Sequence, residues 1–345
     1  MDTLLADLKA RGVDSFPITV EGEPSPDLVD RTAAENRGRS IDVVVGIGGG
    51  SAVDTAKAIS AMLLQKGSAV DYLEDVGTGA IHDGRKVPCI AVPTTAGTGA
   101  EATKNAVLSR IGPDGFKKSL RHDHFVPNVA IVDPELSLSC PPDVTAACGM
   151  DAFTQLLESY VSTGASPMTD ALALSGIEAC ARSLVKVCTS GATDVAARSD
   201  MAYAALLSGI TLANAGLGIV HGLASPIGGY FDIPHGVVCG TLVGVASEVT
   251  IRKIHETAGP DCEALRKYAR AGALIAGRKT EDVDEGSRLL LETVQAWIED
   301  LDIPSLGTYG VTEDDLDRIV KSAGCKNNPA KLTREGIREI CARRL

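Results

Sequence analysis

Apolar and polar positions follow two rhythms along the chain. Up to about Ser137, short β-branched runs alternate with helical segments; Phe16–Val20, Asp42–Val45, Cys89–Val92 and Val129–Val132 each end at Gly, Pro or acidic turn chemistry. That alternation predicts a layered α/β domain with a mainly parallel sheet. After Cys140-Pro141-Pro142 the period lengthens to that of a helix, in Ala/Leu-rich stretches such as Asp151–Val161, Met168–Cys188 and Arg288–Leu301. A boundary is therefore expected near residue 138, giving an α/β unit over 1–138 and an all-helical unit over 139–345.

A chain of 345 residues has the length of roughly two domains, with 44% hydrophobic and 23% charged residues as in ordinary globular proteins. Acidic groups outnumber basic ones, 45 to 33, and aromatic residues make up only 3%. Neither a basic face for a polyanion nor a platform for stacking bases is evident, so no nucleic-acid partner is expected. Nine cysteines stand without any CxxC spacing, which reads as reduced thiols in a cytoplasmic protein. The uncharged stretch Met201–Phe231 is long enough to cross a bilayer, but Asn214, His221, Pro226 and six glycines in it favour a buried helix with a functional loop, and no membrane partner is expected.

Two small-residue loops follow strand-like runs. Val43-Val44-Val45-Gly46-Ile47-Gly48-Gly49-Gly50-Ser51 leads into a helical segment through Lys57. Glycines there let backbone N–H groups approach an anion, and the helix start adds free donors and partial positive charge. Ser51 is expected to cap that helix, with Asp54 three residues on. The run is not GxGxxG, since Ser51 holds the third glycine position, and a tight turn alone would explain it equally well. The second loop, Pro93-Thr94-Thr95-Ala96-Gly97-Thr98-Gly99, supplies hydroxyl donors at the carboxyl end of a strand, where parallel sheets bind ligands. Two such cradles in one sheet favour a dinucleotide.

Asp151 and Gln155 lie four apart in a helical stretch and so share a face. His221 and His235, each followed by glycine, occupy the most apolar part of the chain. Singly, each histidine is more often a bonded core residue. Together with Asp151 and Gln155 they could offer one carboxylate, one amide oxygen and two imidazoles to a metal, leaving a position for substrate.

These motifs, with Asp54, Lys57 and Glu101, Val132-Asp133-Pro134-Glu135, Gly149-Met150-Asp151-Ala152 and Asn328-Pro329, resemble the iron-containing (group III) alcohol dehydrogenases of the dehydroquinate synthase-like superfamily. The resemblance runs nearly the whole length. It implies an N-terminal Rossmann-like α/β domain, an all-α C-terminal domain, NAD or NADP, and a divalent metal, Fe(II) first and Zn(II) second. The nucleotide contacts it implies are Gly48, Gly49, Gly50, Ser51, Asp54, Thr94, Thr95, Thr98 and Lys117, with Asp151, His221 and His235 as catalytic metal ligands.

Three departures accompany it. Gln155 stands where the family has a histidine, a neutral and weaker donor that serves as a weak ligand or as an outer partner of the ligands. Ser225 stands where relatives often carry a proton-relaying histidine. The chain opens in a helical segment, Leu4–Lys9, without the family's first strand. His122-Asp123-His124 matches no family ligand and reads as loop chemistry near the cleft rim. His82 and His255 stand in polar, loop-like surroundings, and Cys148 and Cys239 read as small packing residues.

The expected activity is metal-assisted hydride transfer between a nicotinamide and a small alcohol or its aldehyde or ketone, by a homodimer or larger homo-oligomer. The alternatives are a metal-free reductase of the maleylacetate type, a dehydroquinate-synthase-like lyase and a catalytically impaired relative.

Overall fold

The computed structural model describes residues 1–345. The N-terminal part carries α1 (Asp2–Ala10), α2 (Pro26–Asn36), β1 (Val44–Gly48), α3 (Gly50–Met62), β2 (Cys89–Pro93), the hairpin β3 (Asn105–Arg110) and β4 (Phe116–Arg121), and a short β5 (Val129–Ala130). β1, β2 and β5 form a parallel sheet in that order, with Val44 opposite Cys89 and Gly48 opposite Pro93; β3 and β4 pair antiparallel as a separate ribbon. Helix α3 returns across β1 at very close range: a Cβ at Gly46 would lie 2.7 Å from the Ala56 Cβ and 3.2 Å from the Val53 Cα. Glycine is what lets strand and helix touch there.

The Phe16–Val20 run does not form a strand. It has no ladder partner, and Phe16 and Ile18 are exposed; β propensity is realised only where a neighbour pairs with it.

From residue 142 onward every element is helical: α4 (Pro142–Val161), α5 (Pro167–Cys188), α6 (Val195–Ala215), α7 (Ile219–Tyr230), α8 (His235–Ala258), α9 (Glu263–Ile275), α10 (Val283–Asp300), α11 (Leu316–Ser322) and α12 (Arg334–Ala342). The main hydrophobic cluster, 53 residues against 14 under α3 and the hairpin, belongs to these helices. At its centre lies α4, buried on all sides from Thr145 to Val161 apart from Cys148. A helix apolar all round belongs inside a core, and polar side chains at Asp151, Gln155 and Glu158 must then find partners there.

The uncharged stretch from Met201 to Phe231 is the end of α6 and all of α7, bent by 102° at the break between them. No single helix is long and apolar enough to cross a membrane. Gly216, at the break, has φ +76°.

Candidate active site

A cleft of ≈ 1280 Å³ runs between the sheet and the helical bundle, larger than the ~300–1,000 Å³ of an ordinary small-molecule pocket. Gly49, Gly50, Ser51, Asp54, Thr95, Thr98 and Lys117 line it on one side; Asp151, Gln155, His221, Ser225 and His235 line it on the other.

On the nucleotide side, α3 starts earlier than expected. Gly49 is the N-cap, with extended backbone, and Ser51 is already inside the first turn. Gly48, at φ +148°, turns the chain so that the helix can begin at Gly50. The first turn therefore offers unbonded N–H groups without a side-chain cap competing for them. Asp54 takes no part in capping: its carboxylate accepts the Val107 N–H at 3.0 Å and the Lys57 ammonium at 3.2 Å. Lys57 is almost fully buried and also donates to the Ala100 carbonyl (2.9 Å), the Thr103 hydroxyl (2.8 Å) and the Asn105 carbonyl. The two cradles are thus tied together by one ammonium.

Gly48 and Thr94 do not line the cleft; the Thr94 N–H donates to the Gly48 carbonyl at 2.8 Å and joins the two loops from behind. Lys117 does line it, and its ammonium bonds Glu23 at 2.7 Å.

On the other side, α4, α7 and α8 bring four side chains together. His221 Nε2 stands 3.3 Å from Asp151 Oδ1, His235 Nε2 stands 3.7 Å from the same oxygen, and the two rings are 5.4 Å apart at 59°. Cys239, one turn after His235 on α8, puts its Sγ 3.6 Å from His221 Nε2 and 3.7 Å from His235 Nε2. The donor atoms of Asp151, His221, His235 and Cys239 all lie within 4.8 Å of one another.

Around this cluster the supports are unequal. Glu158, two turns after Asp151 on α4, accepts from His221 Nδ1 at 2.7 Å and from the Val220 N–H at 2.7 Å. A carboxylate at Nδ1 holds the proton there and turns Nε2 toward Asp151 and Cys239, so Nε2 is the nitrogen that would ligate a metal once its own proton is displaced. His235 lacks that support: its Nδ1 is buried without a hydrogen-bond partner.

Gln155 meets the cluster through its amide nitrogen. Its Nε2 donates to Asp151 Oδ2 at 2.9 Å and its Oε1 accepts from the Ser208 hydroxyl at 2.8 Å. With the Asp151 carboxylate facing its N–H₂ group, the amide turns its oxygen toward Ser208 and not toward the donor cluster. Gln155 holds Asp151 rather than a cation. Of the two roles expected of Gln155, weak ligand or outer partner of the ligands, this geometry supports the second.

Burial opposes the Asp151 carboxylate, yet His235 and His221 together hold it down at about 2. Burial also disfavours the His221 cation, but Cys239, Asp151 and Glu158 outweigh it and raise that ring well above the usual imidazole value. At His235 burial prevails and takes the ring down to about 3; at Cys239 it lifts the thiol to about 12. The donor set, a carboxylate, two imidazoles and a thiol at these separations, fits a divalent metal.

Of the other residues singled out in the sequence, His122 and His124 lie outside the cleft lining, at the short 3-10 turn Asp123–Phe125. His82 is buried rather than loop-exposed, edge-on to the Phe125 ring at 4.7 Å. His255 sits by Asp284 at 3.5 Å. Glu158 and Cys239 join the site through the structure, although the Asp151/Glu158 and His235/Cys239 spacings already put each pair on one helix face.

A family profile described as iron-containing alcohol dehydrogenase matches residues 1–134, and one described as Fe-containing alcohol dehydrogenase family, C-terminal, matches residues 145–345. The chain belongs to the iron-containing alcohol dehydrogenase family. Long-chain-alcohol dehydrogenase 1 of Geobacillus thermodenitrificans is 36% identical over 327 residues, 94% of this chain and 79% of that one. The 1,3-propanediol dehydrogenase of Citrobacter freundii is 33% identical over 350 residues, 99% of this chain and 86% of that one. Among solved structures, an alcohol dehydrogenase from an archaeal halo-thermophile of a Red Sea brine pool superposes with a TM-score of 0.89 at 26% identity, over 100% of this chain and 87% of that one.

Like its family, this iron-containing alcohol dehydrogenase homologue is an oxidoreductase acting on the CH–OH group of donors, with NAD(H) and a divalent metal. These relatives are named as dehydrogenases, and nothing among them favours a lyase.

Proposed function

We propose that the enzyme interconverts a small alcohol and its aldehyde or ketone at the point where Asp151, His221 and His235 meet, with the nicotinamide nucleotide lying on the Gly49–Ser51 turn and the Thr95–Thr98 loop. The observation that carries this reading is that both groups line one cleft, while the three donors on the helical side lie within 4.8 Å of one another. When bound, the metal supplies Lewis acidity toward the carbonyl oxygen and the nicotinamide supplies hydride.

The chain's own residues do the rest. Asp151 brings the negative charge, and Gln155 fixes its carboxylate through Oδ2. Glu158 sets the tautomer of His221. The free N–H groups at the start of α3 receive the pyrophosphate, with the Thr95 and Thr98 hydroxyls beside them. Ser225 lines the cleft and can pass the alcohol proton toward water or the ribose. In this reading residues 1–138 bind nucleotide and 139–345 bind metal and substrate.

We also infer a cytoplasmic homo-oligomer. The nine unpaired cysteines support the first point. Exposed Val43 and Val45, on or beside the unpaired edge of β1, support the second.

The test follows NADH and NADPH consumption with a panel of small aldehydes and ketones, with Fe(II), Zn(II) or chelator added. Turnover that chelator abolishes and metal restores is expected, and Asp151→Asn and His235→Ala should lower it at least a hundredfold. Full turnover in metal-depleted enzyme would overturn the assignment.

A further inference from the structure

We propose that Cys239 takes the ligand position that Gln155 leaves empty, giving an Asp151–His221–His235–Cys239 set with one sulfur donor. The inference rests on the metal-site reading above and deepens it.

Two independent observations on two helices carry it. On α4, Gln155 is committed in both directions: its amide N–H₂ faces Asp151 Oδ2 at 2.9 Å and its oxygen is occupied by Ser208 at 2.8 Å. On α8, Cys239 is fully buried, and its Sγ faces the Nε2 atoms of both histidines, at 3.6 and 3.7 Å. Other fully buried thiols, Cys89, Cys180 and Cys341, touch no imidazole nitrogen and behave as small packing residues. Cys239 departs from that pattern.

Three of the donor separations match one central cation and a fourth lies near it, all pairs being within 4.8 Å. With metal bonds of about 2.0–2.1 Å to N or O and about 2.3 Å to S, the edges of a tetrahedron are about 3.3–3.4 Å between N and O and about 3.5–3.6 Å between N and S. The structure has 3.3 Å for His221 Nε2 to Asp151 Oδ1, and 3.6 and 3.7 Å for Cys239 Sγ to the two imidazoles. His235 Nε2 to Asp151 Oδ1, at 3.7 Å, is the looser edge. Coordination replaces the S–H bond by a bond from sulfur to the metal, and the proton leaves to water. Replacing an amide oxygen by sulfur shifts the set toward softer borderline cations, so Zn(II) should compete with Fe(II) better than at a site of hard donors alone.

The test uses the full-length protein loaded anaerobically with Co(II), with Zn(II) as the second probe. Co(II) should give a thiolate-to-metal charge-transfer band in the near ultraviolet. That band should be lost in Cys239→Ser and kept in Gln155→Ala and Cys180→Ser. X-ray absorption of the Zn(II)-loaded wild type should show one sulfur at about 2.3 Å, a measurement that needs no variant. Chelator competition should show Zn(II) held at least tenfold more weakly by Cys239→Ser. A stoichiometric metal that His235→Ala abolishes, without sulfur at the metal, would overturn the Cys239 assignment and leave the metal site standing. Wild type that holds no stoichiometric metal, or metal that survives both Asp151→Ala and His235→Ala, would overturn both.

Discussion

Glu158 Oε2 on α4 and His221 Nδ1 on α7 stand 2.7 Å apart. The same carboxylate also receives the Val220 N–H, so one acidic group orients the imidazole and satisfies the start of the helix that carries it. Glu158→Gln should keep most of the packing but weaken metal binding by roughly 10–100-fold, as for other partners of ligating histidines. Chelator competition on the purified variant measures this. An unchanged affinity would show that His221 is held by something else.

Lys57→Met should be severe although it lies outside the metal cluster. The substitution removes the only cation bonded to Asp54 and takes from the Ala100 and Asn105 carbonyls their shortest donor, leaving them the longer bonds from Thr103. Breaking a buried charged pair on one side costs about 3–5 kcal/mol, to be read from the urea midpoint. Nucleotide affinity should fall in parallel, because the ammonium ties α3 to the loop after β2.

At the nucleotide turn, Gly50 and Gly49 should respond differently. A Cβ at Gly50 would meet the Thr98 side chain at 2.6 Å, whereas one at Gly49 finds Thr95 no nearer than 3.4 Å. Overpacking of the first kind costs about 1–3 kcal/mol. Gly50→Ala should therefore displace Thr98 and weaken NADH binding roughly tenfold or more in calorimetry. Gly49→Ala should disturb the loop less, and circular dichroism should be the same for both.

The metal-free protein should lose stability as the medium becomes acid, partly through His235. Burial puts its native value at about 3, against about 6.5 in the unfolded chain. Between these values the unfolded state binds the extra proton, so unfolding becomes easier as pH falls through that window, by at most ~1.4 kcal/mol per pH unit from this group. His221 acts in the opposite sense: its raised value contributes stability that is fully present below pH 6.5 and lost as pH rises through the native value. Comparing urea unfolding of wild type and His235→Gln from pH 7 to 4 separates the two. A wild-type slope no steeper than the variant's would refute the assignment.

Much of this site could be read from the sequence because its parts obey local rules. The glycine turn at 48–50 and the threonine loop sit in motifs whose spacing has a physical reason, whereas Asp151, His221 and His235, far apart in the chain, are joined by the family resemblance. Three features could not be read that way. The Phe16–Val20 run has the composition of a strand, but pairing is decided by a neighbour elsewhere in the chain, and it has none. Ser51 looks like a cap, yet glycine's backbone freedom at Gly48 moved the helix start ahead of it. Gln155 occupies a ligand position, but its amide is claimed by Asp151 and Ser208, the latter on a helix more than fifty residues away. Cys239 is the reverse case. Its four-residue spacing from His235 was visible, but only the approach of α7 shows that the shared face points at a second imidazole.

The four donors come from α4, α7 and α8, and the 102° turn between α6 and α7 is what aims the middle one inward. A cation held among them would act as a rivet joining α4 to the consecutive pair α7 and α8. Heating or protease challenge would then report occupancy directly: at a free metal concentration a hundred times Kd, the rivet adds about 2.7 kcal/mol against opening. Starvation for metal would make the enzyme short-lived as well as inactive.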